Sequence, residues 1–500
     1  MLMRVSDVVT IKKVKSWMPG DVITIKAGTG VGKSYFIKNN LYALAKKEGS
    51  KILLLVNRIN CKDQFVDEIG KAKKTDIIDI KTYQYIENKE ANKNYFDFSE
   101  YDYIVCDEFH YFMSDAAFNI NTDLSLNAIL AQTFPVKIFM SATGDYMKNY
   151  ITGVRKIETI DYEVPITYDF IKSLTFFNKD ETLEAFIEEA IAKNHKAIFF
   201  IQSATKAYDL YKKYKKHCLF NCGKSDKHYK YVDKEKIKEM LKKERFEDQI
   251  LITTTCMDTG VNINDIDLYH IVCDVKDIGV LVQCIGRKRL ENKDDKIYLY
   301  VKTINNQSLG GMETQLKRKV NMADYLREHT VKEYLEEYKR QYDTSNIVYN
   351  DTVKEDNKST LKVNELMFFK VKTDLAELSF MKTYGDFGYC KYLASKFGFR
   401  DDNGYYNYRT IEEDYQKDKI VNFMAKVVGK KLTKEEQNEL IDIVDLRDSR
   451  NRQQKSIGQL NEYFKANNIK YFIISKKSGP KRYWEVKEDN AQNKMGQNLE

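Results

Sequence analysis

Five hundred residues, 43% hydrophobic and 31% charged, are chain enough for two to four domains with sizeable cores. No apolar run approaches the roughly 18 residues of a membrane span, and residues 1–17 lack the apolar core of a signal peptide, so the expected compartment is the cytoplasm. The net charge of +8 is uneven: between Arg447 and Lys487 eleven basic residues stand against three acidic ones, an excess equal to that of the whole chain, which points to polyanions against the plainer reading of a solvated lysine-rich surface.

Short aliphatic runs alternate with helical patterns from the start. Residues 21–27 (DVITIKA), 51–57 (KILLLVN), 76–82 (DIIDIKT), 101–108 (YDYIVCDE) and 136–143 (VKIFMSAT) read as strands, with helices over 34–47 and 61–72 between the first three. Continuous apolar strands separated by helices predict βαβ units and a parallel sheet covered on both faces. Residues 150–165, with Pro165 and a loss of periodicity, read as a linker. A second α/β series follows: a helix over 182–194, then 196–203, 218–221, 249–255, 268–274 and 296–302 as strands with helical patterns at 208–216 and 237–243. His217, Cys218, Cys222 and His228 match no common zinc spacing, and CLFN reads better as a strand whose alternate side chains diverge.

Beyond about residue 303 the texture becomes charged and helical, 352–360 is polar enough for a linker, and the remainder is mainly helical. A helix over 457–468 followed by YFIISKK and RYWEVK around the turn signal SGP gives the end of the chain a winged-helix pattern. The expected domains are 1–160, 161–305, a helical connector at 306–358, a basic accessory domain at 359–490 and a tail at 491–500.

The strongest chemical signal is Ala27, Gly28, Thr29, Gly30, Val31, Gly32, Lys33 and Ser34, between a strand and a helix. Glycines there let successive N–H groups turn inward around phosphate oxygens, and the helix N-terminus adds a favourable dipole. The pattern assigns Lys33 to the β- and γ-phosphates of ATP and Ser34 to Mg²⁺, with Ala27 replacing the usual first glycine. Such a loop requires an acid on a neighbouring strand, and YIVCDE supplies two: Asp107 as the second metal residue, Glu108 as the base for the attacking water.

AGTGVGKS, DEFH, SAT at 141–143, TCMDTGVN and QCIGRKR occur in the order of the superfamily 2 helicases of the DExH-box type, which residues 15–305 resemble. The resemblance implies an α/β chain of two tandem RecA-like P-loop NTPase lobes with parallel sheets, ATP between them and nucleic acid across one face. By that likeness His110, Ser141 and Thr143 couple hydrolysis to lobe movement, and Arg58, Thr82 and Thr254 face the nucleic-acid backbone. Gly260 and Asn262 approach the nucleotide, Asn262 where many members have Asp, and an amide cannot supply that charge. Gln283 and Arg287 complete the catalytic set, with Arg287 as the arginine finger. A second arginine is common three residues later; Leu290 stands there, and Arg289 is one position early. No adenine-reading glutamine motif precedes the loop, which leaves Trp17 either stacked on the base or packed in a core.

The expected function is an ATP-dependent helicase or translocase acting in replication, recombination or repair, with DNA favoured over RNA. The alternatives are the motor of a nuclease or restriction assembly and an ATP-switched origin or replisome-loading protein, so a nuclease or replication proteins are the expected protein partners, with no membrane. The lysine- and asparagine-rich, proline-poor texture resembles that of phage or mobile-element replication helicases, for which the compartment is the host cytoplasm.

Overall fold

The computed structural model describes residues 3–257, 261–290, 295–338, 347–353, 358–447, 452–467, 469–479 and 481–489. The chain divides into two compact units, one of residues 1–174 with 179–407, the other of 175–178 with 408–500.

The first unit contains two parallel sheets. In the first lobe β1 (Val22–Lys26), β2 (Ile52–Val56), β3 (Ile78–Thr82), β4 (Tyr103–Asp107), β5 (Val136–Ser141) and β6 (Ile160–Glu163) lie in the order β3-β2-β4-β5-β1-β6. Every residue of β2 and β5 is buried, as a sheet covered on both faces requires. Alternation divides β2 between two cores: Ile52, Leu54 and Val56 pack with Phe36, Leu41 and Phe65 on one face, Leu53 and Leu55 with Tyr83, Phe112 and Leu126 on the other. The strand β6 falls in the segment expected to be a linker. It lies at the sheet edge, paired to β1 alone, and three of its four residues are exposed, so no apolar period announces it.

In the second lobe β7 (Ile171–Phe177), β8 (Lys196–Ile201), β9 (Cys218–Asn221), β10 (Ile250–Thr253), β11 (Leu268–Asp274) and β12 (Ile297–Lys302) follow the order β7-β12-β11-β8-β10-β9. The ladders joining β8 through β12 are parallel. Two RecA-like α/β lobes are therefore present, as the alternating pattern predicts.

After β12 come the helices Asn306–Glu328 and Val331–Glu337, and an antiparallel pair, β13 (Val348–Val353) and β14 (Lys358–Val363), occupies much of the expected 352–360 linker; residues 354–357 lie outside the described residues. The helices Glu365–Lys382 and Gly388–Lys396, grouped by composition with the C-terminal domain, belong to the first compact unit. Leu366, Met367 and Val371 enter the same core as Phe112, and Phe369 meets Tyr150 edge-on at 5.3 Å. Among the described residues no helix is long and apolar enough to cross a membrane.

In the second unit the order is helix Ile411–Val427, strand Lys431–Leu432, helices Lys434–Val444 and Ile457–Ala466, then strands Tyr471–Ser478 and Lys481–Glu488. The first strand pairs with the third and the third with the second, all antiparallel, around Leu440, Leu460, Phe464, Ile473 and Val486. This is the winged-helix order. The expected tail, 491–500, lies outside the described residues.

Candidate active site

The loop 27–34 leaves β1, which lies between β5 and the edge strand β6, and ends in the helix beginning at Lys33. Gly30 and Gly32 take φ of 80° and 92°, the left-handed region where side chains are strained. Lys33 is buried; its Nζ donates to the carbonyls of Ala27 and Gly28 at 3.0 and 3.3 Å and lies 3.3 Å from Glu108 Oε1.

Asp107 ends β4 and Glu108 follows with a φ of 50°, a turn that points successive carboxylates in different directions. Burial, and then the adjacent Glu108, push the Asp107 carboxyl up to about 7. Its Oδ1 is buried and has no hydrogen-bond partner among the described residues. Burial also opposes ionisation of Glu108, but Lys33, His110 and Arg287 outweigh it and hold that carboxyl well below its usual range. The environments thus separate the pair: at Asp107 burial and the neighbouring carboxylate outweigh Lys33 and His110, whereas at Glu108 the cations outweigh burial.

Ser141, the last residue of β5, donates to Glu108 Oε2 at 3.2 Å, lies 2.9 Å from His110 Nδ1 and accepts from the Thr143 backbone N–H at 3.1 Å. Thr143 Oγ1 in turn accepts from Gln283 Nε2 of the second lobe at 3.1 Å. A continuous polar chain therefore runs from Glu108 into the helix Ile278–Ile285. At that helix's C-terminal end the lobes approach closely, since a methyl at Gly286 would lie 2.3 Å from Thr29 Oγ1.

Arg287 is buried. Its Nε donates to the Gln283 carbonyl at 3.0 Å, Nη1 to the Val261 carbonyl at 3.2 Å and Nη2 to Gln283 Oε1 at 3.0 Å. Arg289 donates from Nε to Asn262 Oδ1 at 2.8 Å and also from Nη2, while its buried Nη1 has no partner among the described residues. That Nη1 lies 3.3 Å from where a Cβ on Gly30 would stand. Burial, and then the neighbouring Arg287, lower the Arg289 guanidinium to about 10. Gly260 lies outside the described residues.

Sequence reasoning missed Glu244. It caps the helix Lys234–Lys243 in the left-handed conformation, accepts from Asn262 Nδ2 at 2.9 Å and accepts again from Asn264 Nδ2. It ends a lysine-rich helix, and nothing local separates it from an ordinary solvated acid. Trp17 is buried in the first-lobe core and donates to Tyr162 Oη at 3.1 Å, so it packs and does not face a base.

Arg58, Thr82 and Thr254 line one cavity of about 1920 Å³, with His110, Thr143 and Gln283 also on its wall. Arg58 pairs with Asp115 at 3.1 Å, and Thr82 caps the helix Tyr83–Ala91 by accepting from the Tyr85 N–H. Tyr85 and Phe118 stand exposed on the same wall, and Met312, Lys319 and Lys370 bring in the helices beyond the second lobe.

Residues 178–289 match the family model described as the helicase conserved C-terminal domain. A search of curated proteins returned no match. Solved structures with similarity include Saccharomyces cerevisiae Dbp5 bound to RNA and ADP BeF3, at 15% identity and a TM-score of 0.45 over 59% of this chain and 82% of that one. Mss116p bound to ssRNA and AMP-PNP gives 16% and 0.46 over 60% and 69%. A DEAD box protein from Methanococcus jannaschii gives 17% and 0.34 over 60% and 86%. The family match thus falls in the second lobe, over residues 178–289, while the phosphate-loop geometry belongs to the first.

Proposed function

We propose that the chain couples ATP hydrolysis to movement along a nucleic-acid strand, and that DNA is the substrate. One observation carries this reading: the polar chain Lys33–Glu108–Ser141–Thr143–Gln283 links the phosphate loop of one lobe to the matched helicase domain of the other. Lys33 holds the β- and γ-phosphates. Asp107 and Ser34 would hold Mg²⁺; the unpartnered, buried Asp107 Oδ1 fits a cation. The ion supplies charge neutralisation of the phosphates when bound.

Glu108 orients water and takes its proton as the water oxygen bonds to the γ-phosphorus. The bond from that phosphorus to the β–γ bridging oxygen breaks, and its electron pair leaves with ADP. Ser141 and His110 hold the Glu108 carboxylate, and Thr143 with Gln283 passes its position to the second lobe. Arg58, Thr82 and Thr254 contact the strand in the shared cavity. DNA is favoured because the winged-helix order of the second unit is a helix-turn-helix variant, a class that docks on duplex DNA.

The experiment is phosphate release measured against single-stranded, duplex and forked DNA and RNA, followed by strand displacement on the best stimulator. Stimulation by DNA above RNA is expected. Hydrolysis indifferent to every nucleic acid would overturn the reading.

A further inference from the structure

The helix Ile278–Ile285 ends before the basic cluster, and residue 288 forms a parallel bridge to Ile263. Around it the Ile263 N–H donates to the Arg287 carbonyl and the Arg289 N–H to the Ile263 carbonyl, both at 2.9 Å. On a helix, side chains three apart share a face; on extended backbone, side chains two apart do. The chain therefore turns residues 287 and 289 to one side and Lys288 to the other, where it is buried against the Asp265 carbonyl and Asp295. The displaced second arginine follows from that change of backbone.

The two arginines have different surroundings. Each nitrogen of the Arg287 guanidinium donates within its own lobe, two of them to Gln283, which makes Arg287 a brace for the residue that reaches Thr143. Arg289 keeps one buried nitrogen unpartnered among the described residues, beside Gly30 of the phosphate loop. Behind it Asn262 accepts from Arg289 through Oδ1 and donates through Nδ2 to Glu244. The negative charge that an aspartate at 262 would have supplied directly is present one residue further back.

We propose that Arg289, not Arg287, meets the γ-phosphate during hydrolysis, and that Glu244 positions it through Asn262. This rests on the ATPase reading above. Arg289 is the catalytic residue in this proposal, since its Nη1 meets the transferring group and balances the charge developing there. Glu244 and Asn262 are positioning residues. The relay has a polarity: the amide must accept from the guanidinium and donate to the carboxylate. Exchanging the two groups, Glu244→Gln with Asn262→Asp, preserves both the charge and the number of donors.

The test uses the full chain with saturating single-stranded DNA and Mg²⁺. Arg289→Ala and Arg289→Lys should bind ADP as the parent does, lose hydrolysis by on the order of 10³-fold or more for Ala, and fail to trap ADP with aluminium fluoride. Glu244→Gln should lower kcat with little change in KM, and Glu244→Gln/Asn262→Asp should recover most of it, a rescue that a merely structural role for Glu244 would not give. Arg289→Ala turning over within about threefold of the parent, or a double variant no better than Glu244→Gln, would overturn the proposal. Glu108→Gln separates the two levels. If it abolishes turnover while Arg289→Ala does not, the ATPase reading stands and this assignment fails; if the parent hydrolyses no ATP, both fail.

Discussion

Replacing Lys288 by Met tests how the second lobe holds its arginines in register. The Lys288 side chain is fully buried, 3.0 Å from the equally enclosed Asp295, and its Nζ also donates to the Asp265 carbonyl at 2.6 Å. Asp265 in turn pairs with Lys196 at 2.6 Å, so the ammonium belongs to a buried network. Removing one member of a buried pair costs about 3–5 kcal/mol, because the other charge keeps its desolvation penalty and loses its partner. Unfolding of so large a unit is not a two-state process, so the cost is better read locally.

Two amides report on it, those of Ile263 and Arg289, whose hydrogen bonds tie 287–289 to 263. Where local opening governs their exchange with solvent deuterium, about 3 kcal/mol corresponds to a rate increase of roughly 10²-fold. Lys288→Met/Asp295→Leu should restore protection to within about 1 kcal/mol, since a buried pair replaced by apolar groups of similar volume is often neutral. Unchanged protection in Lys288→Met, or a double variant no better protected than the single one, would refute the reasoning.

Glu108→Gln should keep ATP binding while hydrolysis falls by roughly 10²–10⁴, seen as an unchanged dissociation constant for a fluorescent ATP analogue beside lost phosphate release; an active variant would end the base assignment. Gly286→Ala places a methyl 2.3 Å from Thr29 Oγ1 and should force the lobes apart, lowering kcat on the order of 10²-fold as misplacements near 1 Å do. Thr29→Ala should return part of that loss in the double variant, and no recovery would mean that the clash lies elsewhere. Neutralising Lys455, Lys465, Lys477 and Arg482 in the second unit should reduce the slope of log affinity against log salt by about 0.7–0.9 for each phosphate that is no longer neutralised. An unchanged slope would favour a solvated surface.

The central strands were legible because both faces of a parallel sheet are buried: ILLLV and VKIFMS carry that demand in every residue. Hairpin and helix around the SGP turn were legible for a similar reason, since alternation and turn chemistry act locally. The edge strand β6 was not, because edge pairing is made by backbone and leaves polar side chains free to face solvent. The helix Glu365–Lys382 reads as part of a charged C-terminal stretch, yet its apolar residues complete a core begun some 250 positions earlier, around Phe112. Motif residues of both lobes carry an expectation in the sequence, Gln283 and Arg287 through the family likeness; contacts between distant segments carry none. Lys33, Asp107 and Glu108 follow from local motif chemistry, as Thr29 does in the phosphate loop, whereas Glu244 acquires meaning only through Asn262, and the approach of Gly286 to Thr29 is visible only in the fold.

Two buried polar atoms at the cleft have no hydrogen-bond partner among the described residues, and they have opposite character. Asp107 Oδ1 on the first lobe is an acceptor; Arg289 Nη1 on the second is a charged donor. A cation would answer the first and a phosphate oxygen the second, so a metal-bound triphosphate would satisfy both while the lobes are together. After hydrolysis and loss of the γ-phosphate, Arg289 again has a buried donor with nothing to meet. Leaving such a group unsatisfied costs about 1–3 kcal/mol, more for a charge, which shifts an open–closed equilibrium roughly 5- to 150-fold toward open. On the proposed reading, the atom that stabilises the transition state is therefore also the one that makes the closed state unfavourable once the reaction is over.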